Sequence, residues 1–124
     1  MEYKYIIPNI PPSNNKFIGR NNKWEYQRIK KEWANLIWLT CRPKPKQPLS
    51  GVVVSLKYYF KDRIRRDPDN FSGKMILDGL VKAGILQDDS FSCITLKLDA
   101  GYDKENPRTE ITIGRKSCEQ VGKE

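Results

Sequence analysis

The run GVVVSLKYYF, residues 51 to 60, sets Val52, Val54, Leu56, Tyr58 and Phe60 on one side of an extended chain at a period of two. The β-branched and aromatic residues support a strand, and a strand with one apolar face must be covered by another layer. Two segments can supply that cover. From Trp24 to about Cys41, Ile29, Trp33, Leu36 and Ile37 recur at helical spacing, while Arg28, Lys30, Lys31, Glu32 and Asn35 fill the other positions, predicting an amphipathic helix with a basic outer face. Residues 71 to 83 carry Met75, Ile76, Leu77, Leu80 and Val81, predicting a second helix that Gly84 closes.

Tyr3, Tyr5 and Ile7 alternate with polar neighbours up to Pro8, which predicts a first strand running into the turn PNIPPSNN (8 to 15). The stretch RPKPKQP (42 to 48) cannot continue a helix and reads as an extended basic connector. Two further strands are expected at about 91 to 99 and 108 to 114, with GYDKENPR as the turn between them. The order β-α-β-α-β-β predicts a single small α+β domain over residues 1–116, with a mixed sheet of about four strands and two main helices. Residues 117–124 read as a polar tail.

With 124 residues the chain suits one core. Lys and Arg number 23 against 15 Asp and Glu, a formal charge of +8, which fits either a partner that is a polyanion, nucleic acid foremost, or a surface built for solubility. Cys41, Cys93 and Cys118 are widely spaced and there is no histidine, which argues against a structural zinc site and removes any Ser-His-Asp or Cys-His mechanism. No apolar run suggests a signal peptide or a membrane span, and a cytoplasmic, nucleoid-associated protein with free thiols is expected.

The chemistry concentrates between residues 65 and 90, RRDPDNFSGKMILDGLVKAGILQDDS. Asp67 and Asp69 lie two apart around Pro68 and, in an extended segment, point to the same side as a two-carboxylate claw; alternatively Asp69 or Asn70 caps the second helix. Asp88 and Asp89 return after the helix. A helix of about 12 residues spans roughly 18 Å, so the two pairs meet only if the following strand doubles back beside residues 51 to 60. Carboxylates so gathered need protons or hard cations such as Mg²⁺ or Mn²⁺ to offset their repulsion. Lys74 and Asp78 share a helix face, either as a surface ion pair or with the ammonium placed to stabilise charge on a phosphodiester. Arg63, Arg65 and Arg66 either balance the aspartates or grip phosphates. Asn14 and Asn15 either contact DNA or close their turn, and Trp24, Trp33 and Trp38 either stack on bases or pack.

Four stretches, PPSNN (11 to 15), RRDPDN (65 to 70), Lys74-x-x-x-Asp78-x-Leu80 and KAGILQDDS (82 to 90), together resemble the RusA family of Holliday-junction resolvases in order and approximate spacing. The resemblance covers about residues 3 to 114. It implies a homodimer that binds four-way DNA junctions and makes paired, symmetric nicks with Mg²⁺, or Mn²⁺ in its place. By position, Asp67, Asp69 and Asp89 match the family's catalytic, metal-binding acidic residues, Lys74 its catalytic lysine, and Arg66 a basic residue beside the site. Asp88 and Asp78 match supporting acidic positions. Three residues, Phe71-Ser72-Gly73, separate Asn70 from Lys74, one more than in the best-known member, so Lys74 keeps its direction only if the extra residue precedes the helix. The competing readings are a metal nuclease for other branched or RNA substrates and a catalytically inactive branched-DNA-binding module.

Overall fold

The computed structural model describes residues 2–14 and 23–115. Strand β1 (Glu2–Ile7) leads through the Pro-rich turn to helix α1 (Lys23–Thr40). Strand β2 (Val52–Phe60) follows, then a 3-10 turn (Pro68–Asn70) and helix α2 (Lys74–Lys82). Strands β3 (Ile94–Tyr102) and β4 (Arg108–Arg115) complete the domain. The four strands form one sheet in the order β1-β4-β2-β3. The β1/β4 and β4/β2 pairs are antiparallel and β2/β3 is parallel, so the expected mixed sheet and element order are present.

The alternation in β2 fixes which face is inside. Val52, Val54, Leu56, Tyr58 and Phe60 are all buried, and Ile111 and Ile113 of β4 and Tyr5 and Ile7 of β1 join them. Each fully buried Ile or Leu contributes about 1.5–3 kcal/mol relative to exposure. Helix α1 turns Ile29, Trp33 and Ile37 inward, and α2 turns in Met75, Ile76, Leu77 and Leu80. The helices approach closely at Gly79, where an added Cβ would stand 2.5 Å from Cδ1 of Ile37 and 3.5 Å from Cα of Ala34. At the sheet's far end the Tyr5 hydroxyl donates to the Pro43 carbonyl (2.7 Å), fastening the basic connector to β1.

Local pattern and structure part company in three places. The second helix begins at Lys74 rather than residue 71, because Phe71 is drawn onto Tyr58 and Phe60 (ring centroids 5.9 and 5.2 Å) and Gly73 then turns the chain in a left-handed conformation, φ 83°. Neither Asp69 nor Asn70 caps it. Strand β3 starts at Ile94 rather than 91, since the amides of Cys93 and Ile94 both donate to the Ser90 carbonyl in a turn, and it continues through Gly101 and Tyr102, which the sequence assigned to the next turn. Lys30, placed by spacing on the outer face of α1, instead reaches Asp78 of α2 (3.4 Å).

Candidate nuclease site

The segment after β2 is shaped by Arg66. Its guanidinium stacks 4.1 Å from the Phe60 ring centroid, pairs with the Asp62 carboxylate (2.7 Å) and donates to the carbonyls of Asp62 and Ile64 (3.3 and 3.0 Å). That bond, with the Ile64 amide, holds the Asp62 carboxyl below the usual 3.8. Arg66 is therefore a clamp for the loop that carries Asp67 and Asp69, with most of its donors engaged inside the protein. Arg65 and Arg63 are exposed. The Nε of Arg65 lies 3.3 Å from Asp67, and Arg63 stacks on Tyr102 (4.3 Å). Both present cationic surface beside the aspartates.

Asp67 is extended (φ −108°, ψ 142°), but Pro68–Asn70 form a 3-10 turn, so the Asp67-Pro68-Asp69 stretch is not the extended segment that its spacing suggested. Both aspartates are exposed. From the other side, Asn14 donates to the Asp69 carbonyl (3.1 Å) and to the Ser72 hydroxyl (3.3 Å), bracing the acidic turn against the chain that follows β1. Its side chain closes a tertiary contact rather than its own turn. Asn15 lies outside the described residues, as do Cys118 and the tail.

The strand after Asp88 and Asp89 does double back beside β2, but in parallel: Val52 pairs with Ile94 and Phe60 with Tyr102. Gln87 donates to the Leu49 carbonyl and Gly51 to that of Cys93, so residues 87 to 93 sit at the start of β2. Asp67 and Asp69 follow its end. Eight residue steps of a parallel strand cover about 26 Å. Among the described residues no group of three or more His, Cys, Asp or Glu is placed to hold a metal ion. Asp67 and Asp69 share one loop; Asp88 and Asp89 share another, with the Asp89 amide donating to the Asp88 carboxylate (2.9 Å). A single chain does not bring the two pairs together.

Phe71, Ser72 and Gly73 all precede α2, so Lys74 opens the helix. Its side chain is 62% exposed and its ammonium lies 3.6 Å from Asp78, and Lys30 approaches the same carboxylate from α1. The Asp78 oxygen is buried and without an aligned hydrogen bond, so two ammonium groups at ion-pair distance are what offset its charge. Sequence spacing identified Lys74 and Asp78 but missed Lys30, whose role follows from the close crossing that Ala34 and Gly79 permit. That small-residue pair is the signal in the sequence.

Trp33 is a core residue, whereas Trp24 is exposed and Trp38 carries Lys44 over its ring (4.4 Å). A cavity of about 260 Å³ opens between the acidic loop and the edge of the sheet, lined by residues that include Tyr58, Asp67, Phe71, Leu98 and Ala100. Among the described residues no helix is long and apolar enough to cross a membrane.

No individually curated protein matches the chain. The family model for endodeoxyribonuclease RusA matches residues 8–114, from the Pro-rich turn to the last strand, and spans both acidic loops and Lys74. The fold, the exposed acidic loops and that match agree: the chain belongs to the RusA endodeoxyribonuclease family.

Proposed function

We propose that the protein is a metal-dependent endodeoxyribonuclease that resolves four-way DNA junctions, acting as a homodimer through paired symmetric nicks. The family match across residues 8–114 carries this reading. Asp67, Asp69 and Asp89 are its catalytic and metal-binding residues and Lys74 its catalytic lysine, with Asp88 and Asp78 in support. Oxygen-only donors suit Mg²⁺ or Mn²⁺, although one chain does not gather enough of them. Lys74 is exposed at the first position of α2, where its ammonium and the free helical amides favour a phosphate and the charge that develops on it. Exposed Arg63 and Arg65 hold flanking phosphates, and Arg66 and Asn14 position the loop.

The test is cleavage of a synthetic four-way junction beside linear duplex, flap and single-stranded controls, with Mg²⁺, with Mn²⁺ and with chelator, for wild type and Asp69→Asn. Metal-dependent paired nicks confined to the junction, lost in Asp69→Asn while binding persists, are expected. Binding without cleavage in any metal would leave a branched-DNA-binding module. That second reading is favoured by one observation, the separation of the two acidic pairs within the chain. Equal cutting of all substrates would leave a nuclease without junction selectivity.

A further inference from the structure

Asp78 carries one negative charge and is met by two ammonium groups. Both stand on the same oxygen, Oδ2, Lys30 at 3.4 Å from α1 and Lys74 at 3.6 Å from the preceding turn of α2. That oxygen is buried. The two lysines are not equivalent, because the Lys30 side chain is 26% exposed against 62% for Lys74. Water screens the Lys74 pair and leaves it weak, whereas the sheltered Lys30 holds the carboxylate more firmly. The cluster has one cation to spare, and the spare one is Lys74.

The helix crossing explains why Lys30 takes this place. Lys30, Ala34 and Ile37 form one stripe of α1 at helical spacing, and Gly79 lets that stripe close on α2 beside Asp78. The neighbouring cations of α1 lie elsewhere: Arg28 pairs with Glu25 and Glu32, and Lys31 is exposed. Lys74 opens α2 directly after the acidic turn, on the side a phosphate bound there would approach.

We propose that Lys30 is a positioning residue for the nuclease site: by neutralising Asp78 from α1, it leaves the Lys74 ammonium available to the DNA phosphate. Without Lys30, Asp78 has a single cation within reach among the described residues. A sheltered carboxylate is costly unless paired, so Lys74 is drawn down onto it and away from the phosphate. The catalytic consequence rests on the nuclease reading; the division of Asp78 between the two lysines does not.

Steady-state cleavage of a four-way junction with Mg²⁺ reads the consequence. Lys30→Met should lower kcat about tenfold, part of the roughly 10²–10³ that one charge-stabilising donor supplies, with KM unchanged. Lys30→Arg, which keeps the charge, should retain most of the activity. Lys30→Met/Asp78→Asn should recover most of the lost kcat, because no carboxylate then captures Lys74. If Lys30 only pinned the two helices, removing Asp78 as well would repair nothing. A double variant as slow as Lys30→Met, or a loss that falls on KM, would therefore overturn the proposal. Lys30→Gln gives the same comparison should the methionine variant fail to fold.

Limited acetylation with acetic anhydride, mapped by mass spectrometry, reads the division of Asp78 without any cleavage. Lys74 should react about fivefold more slowly in Lys30→Met than in wild type, the factor withheld by an ion pair of about 1 kcal/mol, and at the wild-type rate or faster in the double variant. Equal Lys74 rates in wild type and Lys30→Met would overturn the division. A wild type that cuts no DNA would refute the nuclease reading instead, and the acetylation series would still decide whether Lys30 keeps Asp78 from Lys74.

Discussion

Replacing Gly73 by alanine tests the path by which the chain leaves the acidic loop and enters α2. Gly73 sits at φ 83°, and a Cβ there would collide with Cδ1 of Leu56 and stand 3.4 Å from the Tyr58 hydroxyl. The left-handed conformation costs a non-glycine residue about 1–2 kcal/mol, and forcing a methyl group into packed core costs about 1–3 kcal/mol more. The expected loss is about 2–5 kcal/mol. For 124 residues the unfolding entropy is about 0.26 kcal/mol/K, so the melting temperature should fall by about 8–19 °C. Gly51 supplies the control, since it has φ 68° with nothing within 4 Å of its added Cβ. Gly51→Ala should show the backbone cost alone, a fall of about 4–8 °C. Thermal denaturation of both variants by circular dichroism, at matched protein concentration, gives the steric part by difference. A Gly73→Ala variant no less stable than Gly51→Ala would refute the argument that Gly73 is packed under Leu56.

Lys74→Ala should reduce junction cleavage strongly while shifting unfolding by less than about 1 kcal/mol, because the lysine side chain is mostly exposed and Lys30 still stands beside the buried Asp78 oxygen; a large loss of stability would make the lysine structural. Asp103 is held below the ordinary 3.8 first by its bond from Arg108 and then by the Asn106 amide. A lowered folded value means the contribution is present above the unfolded pKa and lost as pH falls through the folded one. Urea unfolding should therefore find Asp103→Asn less stable than wild type at neutral pH, the two converging in acid, and a gap that widens in acid would contradict the sign. Burial pushes the Cys41 thiol up to about 11, while hydrogen bonds from Ser50, Ser90 and Ser92 hold Cys93 below its usual 9.0. Peptide mapping after brief alkylation at pH 8 should find Cys93 modified well before Cys41, and the reverse order would show that the turn before β3 is closed. Binding to any DNA should weaken steeply with added salt, less so in Arg63→Ala/Arg65→Ala, if those exposed guanidinium groups contact phosphates.

Much of this architecture is written locally. The period of two in β2, the helical spacing of Ile29, Trp33 and Ile37, and the Pro-rich and Gly-bearing turns each follow from side chains close in sequence, and they suffice for the element order and the inward face. The acidic and basic residues of 65 to 90 are equally plain in the chain, as is their match to a family. Tertiary structure alone decided how those residues are shared out. Arg66 became a clamp because the Phe60 ring and Asp62 meet its guanidinium, and Lys30 turned from solvent to Asp78 because Gly79 lets two helices close. Helix α2 lost its first turn to the packing of Phe71 on Tyr58 and Phe60. Above all, strand direction is a long-range property: no residue between 84 and 94 states whether β3 will lie parallel or antiparallel to β2. That choice sends Asp88 and Asp89 to the end of the sheet opposite Asp67 and Asp69.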